Sequence, residues 1–268
     1  MNVLEKIVAH KAKEIEQAKA LVSVKELEQS PLFAADCFSA VDFIRQPERS
    51  GVIAEFKRQS PSKGIINDYS SVEQVTQGYN QAGASVLSVL TDRSFFGGSD
   101  ENLRIARASN EMPILRKDFI IEEYQILEAK AMGADVVLLI AACLDPKKLK
   151  SLAQFAQSLG LQVLLEVHNE QELEESLNDD VDLAGVNNRD LTTFTTTVET
   201  SYRLGELIPD HFVNVSESGI HAPKTVVELK QAGYEAFLIG ENFMKEKNPA
   251  QACRQFVEEI RQIEKGGN

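Results

Sequence analysis

The sequence predicts an α/β protein: a single (β/α)8 barrel of the TIM type preceded by an N-terminal helical extension. From residue 51 onward, eight short apolar runs rich in Val, Ile and Leu follow one another, and longer segments of helical period separate them. Glycine dipeptides stand at several of the junctions. The length of 268 residues also suits one such barrel, which usually takes about 250 residues.

In order, the runs are VIAEFK (52–57), SVLSVLTD (85–92), PILRKDF (113–119), ADVVLLIAA (134–142), QVLLEVH (162–168), LAGVNNRD (183–190), FVNVSESG (212–219) and AFLIGE (236–241). Helical period marks 72–82, 123–132, 146–159, 170–177, 199–207 and 222–232. Gly83-Ala84, Gly133-Ala134, Gly160-Leu161 and Gly233-Tyr234 each close a helical segment, where a left-handed residue ends the helix before the next strand. Eight βα units in about 200 residues fit a closed barrel better than an open doubly wound sheet. No Gly-x-Gly-x-x-Gly follows the first run, so a dinucleotide fold loses its best support. Residues 1–48 stand apart, with helical period over 3–20 and again around 37–45. They are too short for an independent domain and read as a cap on the barrel or a dimerisation arm. The expected division is 1–48 for the extension and 49–268 for the catalytic barrel.

Composition narrows the function. Lys and Arg number 28 against 41 Asp and Glu, a net charge of −13. A nucleic-acid surface needs a basic face to displace counterions, so no nucleic-acid partner is expected. The N-terminus is charged every few residues and has no apolar core of a secretory signal. The longest apolar run, 136–144, is far too short to span a bilayer, so no membrane partner is expected either. Cys37, Cys143 and Cys253 are odd in number, lack C-x-x-C spacing and sit among apolar neighbours, which points to buried, reduced thiols in a cytoplasmic protein. Histidines at 10, 168, 211 and 221 are too scattered for a zinc constellation. Only Glu166 and His168, i and i+2 on one strand face, could be metal ligands, and two are too few, so no metal is expected.

In a barrel of this kind the C-terminal strand ends converge on one face, and charged residues there are not explained by packing. Run 1 ends in Glu55 and Lys57, which point to the same side. Run 3 ends in Arg116-Lys117-Asp118, run 5 in Glu166, run 6 in Asn187 and Arg189, run 7 in Glu217-Ser218-Gly219 and run 8 in Gly240. Such residues are costly to bury unless paired. A ring of Lys57, Lys117 and Arg189 with Glu55 and Glu166 has the composition of a site that binds an anion and moves protons. Ser218-Gly219 and Gly240-Glu241 follow the seventh and eighth runs, where barrels often hold phosphate on backbone N–H groups. The loop 59–64, QSPSKG, reads as a mobile lid carrying Ser60, or as a plain connector. Phe96 in the loop after run 2 and Phe119 beside Lys117 would put aromatic surface next to the charges, suiting a flat aromatic substrate.

The strings IAEFKRQSPSKG, SVLTDRSFFGGS, LRKDFIIEEYQI, LLEVHNEQEL, GVNNRDL, VSESGI and FLIGENFM, in this order on successive runs, closely resemble the indole-3-glycerol-phosphate synthase family. The match runs from about residue 50 to the end, and the extension resembles the helical cap of these enzymes. The resemblance implies a cofactor-independent carboxy-lyase of tryptophan biosynthesis. Its reaction converts 1-(2-carboxyphenylamino)-1-deoxyribulose 5-phosphate to indole-3-glycerol phosphate, carbon dioxide and water. Carried over residue by residue, it implies Lys117 as the general acid in ring closure and Glu166 as the acid/base of the dehydration. Lys57 would meet the carboxylate that is lost, and Glu55 would orient the lysines. Ser60, Phe96, Phe119, Asn187, Arg189, Glu217 and Ser218 are expected against the substrate, and Gly219, Gly240 and the backbone of Glu241 against its phosphate. Many relatives carry Ser where Glu241 stands, which leaves a backbone contact but not a hydroxyl. The expected partner is a small anionic sugar phosphate, bound by a monomer or weak homodimer. The absence of Trp suits an enzyme that must be translated when tryptophan is scarce. Rival readings from the residues are a Schiff-base aldolase using Lys117, a sugar-phosphate isomerase, and a barrel that only binds an anionic metabolite.

Overall fold

The computed structural model describes residues 3–190 and 195–266. Eight parallel strands close a barrel: β1 (Val52–Phe56), β2 (Val86–Leu90), β3 (Ile114–Lys117), β4 (Val136–Ile140), β5 (Gln162–Val167), β6 (Leu183–Asn187), β7 (Val213–Glu217) and β8 (Ala236–Ile239). Neighbours in sequence are neighbours in space, and β8 returns to β1 with Val52 opposite Phe237. Ahead of the barrel lie α1 (Val3–Leu21), α2 (Val24–Glu28) and α3 (Ala40–Arg45). The barrel is wrapped by α4 (Val72–Gln81), α5 (Asp100–Ser109), α6 (Glu123–Met132), α7 (Pro146–Ser158), α8 (Glu170–Ser176), α9 (Glu199–Gly205), α10 (Pro223–Gln231), α11 (Glu241–Met244) and α12 (Pro249–Gly266).

Strand alternation sorts the side chains into two layers. Ile53, Val86, Leu115, Val136, Leu138, Leu164, Leu183, Val213, Val215 and Leu238 point inward and fill the barrel. Their neighbours Val52, Ala54, Leu87, Val89, Ile114, Val137 and Val163 point outward against the helices. The same parity carries Glu55, Lys57, Lys117, Glu166, Asn187 and Glu217 to the inside, at the C-terminal ends of their strands. The glycines at 83, 133, 160 and 233 all take positive φ, as their places behind helices predict.

The extension touches both ends of the barrel. Ala40 and Ile44 of α3 join the inner core at the N-terminal end. There the Phe38 N–H donates to Asp135 Oδ1 at 2.8 Å and the Ala40 N–H to Gln162 Oε1 at 2.6 Å. α2 packs on α6 through Leu27 and Tyr124, and α1 runs on to the opposite end, where Val3, Leu4 and Ile7 face the mouth.

Several details depart from the sequence reading. α5 and α12 have no counterpart in it. α5 buries Asn102, Leu103 and Ala106 against the barrel, and α12 follows the last strand, where no later strand frames it. Within the loop 59–64 lies a short antiparallel hairpin, Gln59–Ser60 against Gly64–Ile65. Of the thiols only Cys253 is fully buried; Cys37 and Cys143 are partly exposed, because one lies in the extension and the other in the turn after β4. Among the described residues no helix is long and apolar enough to cross a membrane, and no cluster of His, Cys, Asp and Glu is arranged to hold a metal ion.

Candidate active site

A cavity of about 200 Å³ opens at the C-terminal end of the barrel. Lys117, from the end of β3, stands at its centre. Its Nζ donates to Glu166 Oε2 at 2.8 Å and to Glu217 Oε2 at 3.2 Å. Burial opposes the charge on Lys117, but Glu166, Glu217 and Glu55 outweigh it and raise its pKa, so the side chain is an ammonium at any working pH. Its third N–H remains for a ligand.

The two carboxylates around Lys117 differ in environment. Burial disfavours a charge on Glu166, yet Lys117 and His168 overcome it and lower its pKa, while Asn187 Nδ2 donates to Oε1 at 3.0 Å. Glu217 follows the opposite course. Burial raises its pKa, Lys117 pulls it back, and the charges of Glu166 and Glu55 push it up again, to about 7. Its Oε1 is buried without a hydrogen-bond partner. Gly185 on β6 makes room for it, since a Cβ there would stand 2.5 Å from Oε1.

A second cation lies across the cavity. Lys57 Nζ is 2.8 Å from Glu55 Oε1, and Ser88 Oγ donates to the other oxygen of Glu55 at 3.4 Å. Glu55 fits only because Gly240 lacks a side chain, which would collide with its carboxylate. Phe96 and Phe119 line one wall with ring centroids 5.9 Å apart. Arg189 closes the rim, where its Nη1 donates to Ser62 Oγ of the hairpin at 3.2 Å.

Beyond β7, Ser218 and Gly219 both take left-handed φ, 67° and 75°. For serine this backbone is strained, and Asn188 holds it by donating through Nδ2 to the Ser218 carbonyl at 3.1 Å. Asn188 is itself fixed by Ser201 and Ser216 in a buried polar layer. Gly240 precedes α11, whose first amides have no partner within the helix. Ser218, Gly219, Gly240 and Glu241 line the same cavity, and a helix start such as that of α11 is a place where backbone N–H groups can meet an anion.

A model of one family, indole-3-glycerol phosphate synthase, matches residues 4–256 of this chain. The chain belongs to the indole-3-glycerol phosphate synthase family. Relatives bearing the name indole-3-glycerol phosphate synthase include a Bacteroides thetaiotaomicron protein, 45% identical over 265 residues and covering 97% of this chain and 99% of the relative. A Polaromonas sp. protein is 43% identical over 95% of this chain and 97% of its own length. One from Polaromonas naphthalenivorans is 42% identical over 96% and 99%. Among solved structures, KGPDC from Streptococcus mutans superposes with a TM-score of 0.56 at 15% identity, covering 79% of this chain and 97% of that one. A native KDPGal structure gives 0.56 at 11% identity, with 83% and 96% covered. These two share the barrel fold.

In this family member, Lys117, Glu166, Lys57, Glu55, Phe96, Phe119, Asn187, Arg189, Glu217, Ser218, Gly219, Gly240 and Glu241 all line the mouth cavity. Ser60 does not line it. It is buried at the end of the hairpin's first strand, where its Oγ accepts the Lys63 N–H at 3.3 Å, and Pro61 and Ser62 of the turn face the cavity. The sequence reading missed Asn188, which holds the Ser218 backbone, and the apolar wall of Leu90, Leu138, Ile140 and Leu238. That wall shares the strand parity of Lys117 and Glu166, so the alternation carried the signal. Lys11 and the residues 3, 4 and 7 of α1 gave none, because their helical spacing does not say which end of the barrel the helix reaches.

Proposed function

We propose that this mouth cavity closes the indole ring of 1-(2-carboxyphenylamino)-1-deoxyribulose 5-phosphate in tryptophan biosynthesis, releasing carbon dioxide and water. The observation that carries the reading is Lys117, a permanently charged donor set between two carboxylates of different proton affinity, beside an aromatic pair and facing a second lysine. An anionic sugar phosphate suits this cationic pocket inside an acidic protein, because the local field opposes the net charge.

The substrate's phosphate rests on the N–H groups of Ser218, Gly219, Gly240 and Glu241, and its anthranilate ring lies against Phe96 and Phe119. The ring carbon bearing the carboxylate attacks the ribulose carbonyl carbon, and a carbon–carbon bond forms as Lys117 gives a proton to the developing alkoxide. Lys57 holds the carboxylate until its bond to the ring breaks; the electron pair returns to the ring and carbon dioxide leaves. In the last step the new hydroxyl departs as water, with a proton lost from the neighbouring carbon. Glu166 and Lys117, 2.8 Å apart, give and take these two protons. Asn187 and Arg189 hold the polar network, and Glu55 fixes Lys57. The unpaired thiols suit a reducing, cytoplasmic setting.

The test mixes purified protein with the substrate and follows indole fluorescence, against a background kept low by the absence of Trp. Wild type is expected to turn over, with Lys117→Ala and Glu166→Gln slower by on the order of 10²-fold or more. Near-full turnover in either variant removes that residue from its role, and a folded wild type that yields no indole removes the substrate.

A further inference from the structure

One buried ionisable group outside these steps touches Glu166 at the oxygen that Lys117 does not use. His168 follows Glu166 by two residues, so its ring leans to the same face at the end of β5. Its Nδ1 lies 3.1 Å from Glu172 Oε2, and that oxygen also accepts the His168 backbone N–H at 2.8 Å. The other oxygen of Glu172 accepts Asn169 Nδ2 at 2.8 Å, which locks this carboxylate at the start of α8. Nε2 stands 3.4 Å from Glu166 Oε1, buried and without a hydrogen-bond partner.

We propose that His168 is a positioning residue acting through Glu166: its imidazolium, oriented by Glu172, holds Glu166 ionised and aimed, so that a proton taken in the dehydration is released again. The proposal rests on the role given to Glu166 above. Glu172 fixes the proton on Nδ1, so a neutral ring would turn the bare lone pair of Nε2 toward a carboxylate oxygen in a buried place. A second proton converts that repulsion into attraction. The charged groups facing the ring are Glu166 on β5, Glu172 on α8 and Glu217 on β7. The Cys143 thiol, in the turn after β4, feels the same carboxylates; burial pushes it up to about 12 and it stays neutral. Burial disfavours the imidazolium, but Glu172 and Glu166 outweigh it and raise the His168 pKa.

Two measurements test this. The first is the pH profile of kcat for wild type, His168→Gln, Glu172→Gln and Glu166→Gln. His168→Gln keeps an N–H donor and loses the charge, so the acid limb is expected to move up by about one pH unit, the effect of an opposite charge at this range, with KM little changed. Glu172→Gln, which leaves the ring in place, is expected to move it the same way by less, and serves if His168→Gln does not fold. The second follows the His168 ring nitrogens by NMR during a pH titration, with its expected pKa above the ordinary histidine value in wild type and lowered in Glu166→Gln. An unmoved acid limb in a folded variant, or a His168 titration indifferent to Glu166→Gln, overturns the proposal. If Glu166→Gln itself keeps near-wild-type kcat, the role of Glu166 fails and His168 falls with it. If Glu166→Gln is inactive and the His168 variant is unchanged, His168 alone fails.

Discussion

Lys11 Nζ lies 2.9 Å from Asp118 Oδ1, and this contact ties the N-terminal helix to the residue next to Lys117. The same ammonium meets buried Asp92 Oδ2 at 3.0 Å and partly exposed Glu14 Oε2 at 2.6 Å. Both aspartates have a second task. Asp92 Oδ1 accepts the N–H groups of Phe95 at 2.8 Å and Phe96 at 3.1 Å, and Asp118 Oδ1 accepts the Phe119 N–H at 2.8 Å. One cation on α1 therefore holds the two turns that present the aromatic pair. Burial opposes its charge, but Asp118 and Asp92 outweigh that and raise its pKa.

Replacing Lys11 by Met keeps the length of the stem, leaves Asp92 buried without the cation it meets in this network, and leaves Asp118 to Arg116 alone, whose Nη2 lies 3.4 Å from Oδ2. The expected cost is about 3 kcal/mol, the scale of a buried ion pair broken on one side, read as a lower urea midpoint at unchanged slope. KM is expected to rise several-fold while kcat falls less, because the loosened turns carry Phe96 and Phe119 rather than the proton donor. A fall in kcat at constant KM would sink the link between α1 and the aromatic wall.

The barrel was legible because its signals are local and repeated. Alternation in runs such as 52–57 and 162–168 placed Glu55, Lys57 and Glu166 on the inner face, and the seven ordered motifs supplied the chemistry. What stayed hidden depends on long-range placement. Ser60 has the sequence setting of a mouth residue, yet the hairpin turns it inward and presents Ser62. Lys11 looks like one more charge on a polar helix until the fold sets it 3.0 Å or less from carboxylates contributed by the ends of β2 and β3. Strand parity puts His168 on the face of Glu166, and the fold sets the two 3.4 Å apart; Glu172, four residues on, joins them only because a helix starts directly after β5.

Gly240→Ala probes how Glu55 is seated. The backbone at 240 has φ −125°, outside the left-handed region that favours glycine, and an added methyl group would meet Glu55. That methyl would collide with the Glu55 carboxylate and push it off Lys57. The variant is expected to fold, with kcat/KM lower by at least about tenfold, on the scale of one lost charged contact. A folded variant of wild-type kcat/KM would show that the Glu55–Lys57 pair does not need its present geometry.

Glu217 makes stability depend on pH in a direction opposite to that of an ordinary paired carboxylate. In the unfolded chain a glutamate titrates near about 4.3, whereas burial, with Glu166 and Glu55 acting against Lys117, carries Glu217 in the folded state up to about 7. Between those two values the folded protein holds a proton that the unfolded chain has already given up. Unfolding releases it, so rising pH through this window favours the unfolded state. Glu217→Gln keeps the shape and an acceptor for Lys117 but cannot ionise. Its stability relative to wild type is therefore expected to increase as the pH rises from 5 to 7 and to level off above, in urea titrations at each pH. A difference that instead grows as the pH falls would mean that Glu217 is ionised in the resting site, and that Lys117 is held by two full charges rather than one.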